Sequence, residues 1–106
     1  MALDNMGYQG VMKLAKDPNV FSNYGWRKID WLKITRACYD EAVRLKGESF
    51  PGSAVAYKAG WFPGLNKLRR YGIVERDDKL SNERETWWIM PDLNGVARAL
   101  HELGYL

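Results

Sequence analysis

The sequence predicts a single-domain α+β fold, mostly α, and three observations predict it. Trp31, Ile34, Cys38, Ala42 and Leu45 recur at helical spacing and form one apolar stripe along residues 30–46. Ile73–Arg76 and Arg84–Met90 are strand-like and flank a polar, turn-like segment, the pattern of a hairpin. Leu93, Val96, Ala97, Leu100 and Leu103 fall on one face of a last helix. A chain of 106 residues can bury one modest core without a disulfide staple.

Residues 1–29 read as an N-terminal extension that packs on the domain or on a partner, and residues 30–106 as the domain proper. Gly7–Ala15 is a short helix with Val11 and Leu14 on one face, ending before Asp17-Pro18. The stretch through Phe21, Tyr24, Gly25 and Trp26 has turn residues and aromatics but no period. Asp30 caps the long helix, Gly47 stops it, and Leu32, Tyr39 and Val43 leave a second apolar shoulder to be covered. After the break at Phe50-Pro51-Gly52, Ser53 caps a short helix over Ala54–Ala59 that Gly60 ends. A further helix runs from Trp61 or Phe62 to Tyr71, with Pro63 in its first turn and Gly72 at its C-terminal cap. Trp87 and Trp88 are adjacent in a strand and face opposite ways, so one enters the core. Asp92 caps the last helix and Gly104 closes it.

Composition narrows the function. Cys38 is the sole cysteine, which excludes an internal disulfide and a thiolate metal site and suits a reducing, cytoplasmic compartment. No stretch has the length and apolarity of a signal peptide or a membrane span. His101 reads as a surface residue and Cys38 as a core residue. The neighbouring carboxylates Asp40-Glu41 and Asp77-Asp78 point apart and do not make an acid–base pair. With no phosphate loop, nucleophile motif or metal spacing, the expectation is no enzyme, no cofactor, no small-molecule substrate and no membrane partner.

The net charge of +3 is mild, but its distribution is not even. Residues 54–74 carry Lys58, Lys67, Arg69 and Arg70 and no acid at all, as phosphate binding requires. On a helix over 62–71, Leu65 and Leu68 share the inner face, and Pro63, Asn66, Lys67 and Arg70 the outer one. Asn pairs with adenine, and Arg or Lys with guanine or phosphate.

The order of helix, short helix, turn, helix, hairpin and helix resembles the winged helix-turn-helix domains of MarR- and PadR-type transcription regulators. The likeness covers about residues 29–104. Leu65-x-x-Leu68-x-x-x-Gly72-Ile73-Val74-Glu75-Arg76 is similar to the run that closes the recognition helix and opens the wing. Arg84–Ile89 looks like the second wing strand, and Ala56 and Gly60, four apart, fit the helix-turn-helix. The resemblance implies a three-helix core with a two-stranded wing and a DNA-binding transcriptional regulator reading double-stranded DNA with helix 62–71. It also implies Lys79 and Arg84 as backbone contacts, and a two-fold homodimer formed through residues 1–29 or the last helix. Two features depart from the family. Only twelve positions separate Gly60 from Gly72, and the wing is acidic, with Arg76, Lys79 and Arg84 against Glu75, Asp77, Asp78, Glu83 and Glu85. The acidic wing and the five tryptophans favour the alternative of a winged-helix module that binds protein rather than DNA.

Overall fold

The computed structural model describes residues 6–106. Over them the chain is α+β, roughly half helical, with five helices and two small antiparallel sheets. Its radius of gyration, 12.9 Å, is close to the value of about 13 Å expected for one domain of about 100 residues. The part of the N-terminal extension over residues 1–5 lies outside the described residues.

Helix α1 (Met6–Ala15) buries Val11 and Leu14, the face its spacing predicts. It packs closely against α5 (Leu93–Glu102) because glycines line the approach. A Cβ on Gly7 would come within 2.8 Å of the Asp92 carbonyl oxygen, and one on Gly95 within 2.9 Å of the Tyr8 nitrogen. Asp92 then caps both helices with one carboxylate. Its Oδ1 accepts from the Gly95 N–H at 3.0 Å and its Oδ2 from the Gly7 N–H at 2.8 Å. The extension is thus built into the core, and the two segments expected to pair with a second copy pack on each other.

Between α1 and the long helix lies an element that periodicity does not reveal. Strands β1 (Phe21–Tyr24) and β2 (Arg27–Asp30) pair antiparallel, with Phe21 opposite Asp30 and Tyr24 opposite Arg27. Gly25, at φ 65°, takes the first position of the two-residue turn, where a type II′ turn requires glycine. Strand β2 runs directly into α2 (Trp31–Arg44). Asp30 caps that helix as predicted, accepting from Leu32 and Lys33 N–H groups at 3.0 and 3.3 Å. Of the apolar shoulder, Leu32 is buried, Tyr39 half-buried and Val43 exposed.

Strand β3 (Phe50–Pro51) leads into α3 (Gly52–Ala59), which ends at Gly60 with φ 87°. The predicted Ser53 cap is not made, since α3 starts one residue earlier and the Ser53 hydroxyl donates to Glu85. Helix α4 spans only Asn66–Arg70, so the helix expected over 62–71 is a correction. Gly64 at φ 144° lies outside helical geometry, and residues 61–65 form an irregular loop. The predicted hairpin is present but shorter, as β4 (Glu75–Arg76) and β5 (Trp87–Ile89). Strand β3 adds to its other side, giving the order β3-β5-β4. Trp88 enters the core and Trp87 remains half-buried. One continuous cluster joins Val11, Trp31, Phe50, Val55, Leu68 and Leu100.

Candidate functional site

The face of α4 is set by its two leucines. Leu65 and Leu68 are buried in the core, which turns Asn66 and Arg70 outward and leaves Arg69 at the edge of the buried face. All three are exposed, and neither arginine forms an ion pair among the described residues. Opposite α4 stands the β1–β2 hairpin, and an open cleft of about 620 Å³ separates them. Pro63, Asn66, Lys67 and Arg70 line one wall of this cleft, and Phe21, Asn23 and Tyr24 the other. Four of the residues predicted from sequence to meet nucleic acid therefore come together.

Lys67 is a correction. Its ammonium sits 3.1 Å from Asp17 Oδ2, and the two side chains are only 14% and 12% exposed. The same Asp17 carboxylate accepts from the Tyr71 hydroxyl and, at 2.7 Å, from the Asn19 N–H. The turn after α1 thus folds over α4 and takes Lys67 out of the free cationic face. Lys58 is likewise engaged. It lies 3.6 Å from Glu41 Oε2, and Arg44 Nη2 reaches Glu41 Oε1 at 2.8 Å. Glu41 is buried on α2, and these cations, Arg44 first, hold its carboxyl below the usual range against the cost of burial. Lys79 and Arg84 are exposed in the turns joining β4 to β5, and neither lines the cleft. Those turns are fixed by carboxylate and amide side chains. Asp77 Oδ1 accepts from the Lys79 N–H at 3.1 Å, and Asn82 Oδ1 from the Arg84 N–H at 2.8 Å.

The Tyr71 hydroxyl, the Asn19 N–H and Lys67, in that order of effect, lower the Asp17 pKa from 3.8 to about 2. A carboxyl depressed on folding contributes stability that is complete above its unfolded value and lost as pH falls through the folded one. The Asp17 contribution is therefore expected to disappear between about pH 4 and about pH 2, and Asp17→Asn to flatten that part of the stability curve. Urea denaturation of both proteins at about pH 5 and about pH 2.5 checks this, and parallel curves would refute it. Asp77 and Glu41, also depressed, leave a residual acid sensitivity in the variant.

The aromatic wall escapes sequence reasoning. Arg27 places its guanidinium 4.6 Å from the Trp26 ring centroid and 5.1 Å from that of Trp61. Tyr24 meets Trp61 edge-on with centroids 5.9 Å apart. Trp61 precedes α4 and is exposed. The signal that could have found this wall is Tyr24-Gly25-Trp26-Arg27, a two-residue glycine turn that carries one aromatic and follows another. Elsewhere, burial first and Glu41 second raise the Cys38 thiol, so it stays protonated in the core.

Among the described residues there is no group of three or more His, Cys, Asp or Glu side chains that could hold a metal. Among them, too, no helix is long and apolar enough to cross a membrane. Neither a protein-family model, nor a curated protein, nor a solved structure matches the chain.

Proposed function

We propose that this chain is a winged-helix, DNA-binding transcriptional regulator that lays the outer face of α4 against duplex DNA. The order α2, β3, α3, α4, β4, β5, α5 supports it, since three helices followed by an antiparallel two-stranded wing is the layout of that class. The observation that carries the reading is the acid-free outer face of α4. Asn66, Arg69 and Arg70 are exposed there, while Leu65 and Leu68 anchor the same segment in the core. Two cations and an amide on a rigid ridge suit phosphate and base-edge contacts. Lys67 acts here as the strut that fixes the ridge to Asp17.

Arg70→Ala tests the reading, because Arg70 is exposed and its loss leaves the core intact. The variant is expected to bind duplex DNA about 1–3 kcal/mol more weakly and to lose about one unit of slope in log affinity against log salt. Low-salt mobility shifts and a salt titration measure both, and unchanged affinity counts against the proposal. The acidic segment from Glu75 to Glu85 favours a second reading, in which the wing docks a basic protein surface. Retention by a basic protein column but not by immobilised duplex DNA would select it.

A further inference from the structure

The hairpin displays more aromatic surface than the core requires. Phe21, Tyr24, Trp26 and Trp61 are all exposed, Trp26 by 83%. A group of large exposed rings marks a contact surface. The rings are also held in place, since Arg27 lies against both tryptophans and Tyr24 abuts Trp61. Ordering before binding reduces the entropy lost on contact.

Charge selects the occupant. Arg27 and Arg70 have no ion-pair partner among the described residues. The two acids nearest Arg27 in sequence are already committed. Asp17 is held by Lys67 and Tyr71, and Asp30 by the start of α2 and the Tyr105 hydroxyl at 3.0 Å. A second copy docked through this same face by two-fold symmetry would gather the unpaired cations of both copies in one interface. An uncharged apolar partner would bury them unmatched. A polyanion carrying flat faces satisfies both halves, with phosphates on the arginines and bases on the rings. In a duplex the base faces are stacked away, so the rings select unpaired bases. The cleft beside them offers the amides of Asn23 and Asn66 to base edges.

We infer that the β1–β2 hairpin and Trp61 form a stacking platform for unpaired bases of a single-stranded DNA segment, its backbone passing Arg27 and Arg70. This rests on the assignment of α4 to nucleic acid and extends it, so that the protein grips a junction between duplex and single strand. The test uses the full chain and fluorescently labelled DNA in three forms: a blunt duplex, the same duplex with a short oligothymidine extension, and oligothymidine alone. The extension is expected to tighten binding about tenfold, and Trp26→Ala to remove most of that gain. Trp26 lies at an exposed turn, so circular dichroism should show an intact fold, and Tyr24→Ala provides a second variant.

Equal binding of blunt and extended duplex overturns the platform while leaving the α4 reading standing. Tight binding of oligothymidine with no binding of blunt duplex sustains the platform and removes the duplex reading. A fall by the same factor on both substrates in Trp26→Ala overturns the platform, as does a dimer in light scattering that this substitution dissolves.

Discussion

Trp31→Ala is expected to cost about 3–5 kcal/mol, a large part of the roughly 5–15 kcal/mol available to a domain. Trp31 is 1% exposed and is the first residue of α2. Its indole Nε1 donates to Ser22 Oγ at 2.9 Å, and its backbone N–H donates to the Val20 carbonyl at 3.0 Å. The side chain thus fills the core and pins the first strand of the hairpin to the long helix. Truncation leaves a cavity and releases that pin together, and the melting temperature should fall by roughly 15–30 °C. Trp31→Phe keeps most of the apolar volume and loses the hydrogen bond, so about 1–2 kcal/mol is expected. Urea denaturation of the three proteins checks the order, and an alanine variant within 1 kcal/mol of wild type, about the net value of one hydrogen bond, would refute it.

Gly10→Val is expected to cost about 3 kcal/mol, and Gly10→Ala to destabilise as well. A Cβ on Gly10 runs into the Tyr71 carbonyl oxygen, a backbone atom that cannot swing aside, and comes within 3.1 Å of Ile73 Cγ1. Intrinsic propensity works the other way, since alanine in a helix interior is favoured over glycine by roughly 0.5–1 kcal/mol. The sign of the alanine effect is therefore informative. A loosely attached α1 would become more stable, whereas an α1 wedged against the end of α4 becomes less so. Thermal melts of the two variants decide between them.

The elements with long apolar periods are legible in the sequence. The Trp31–Leu45 stripe and the Asp30 and Asp92 caps reappear where spacing and chemistry place them, and the last helix buries Val96 and Leu100 as expected but Ala99 in place of Ala97. The antiparallel β4–β5 hairpin is legible too, from two β-rich runs around turn residues. The hairpin Phe21–Asp30 is not, because its strands have four residues each, and most of these stay exposed, so no alternation of apolar and polar residues develops. Helix 62–71 is over-read for a different reason. Leu65 and Leu68 have helical spacing, but Gly64 breaks the helix before them. At the site, exposure of Asn66 and Arg70 follows from helical geometry, whereas Arg69, four residues after buried Leu65, falls beside the inner face and is exposed all the same. Pairing of Lys67 with Asp17, and of Lys58 with Glu41, depends on segments distant in sequence that composition does not bring together.

The shared cap at Asp92 ties the two edges of the chain into one mechanical unit. Oxygens of a single carboxylate hold the first turns of α1 and α5, so fraying at the start of α5 also takes the acceptor from α1. Opening at the start of α5 is therefore expected to loosen α1 with it.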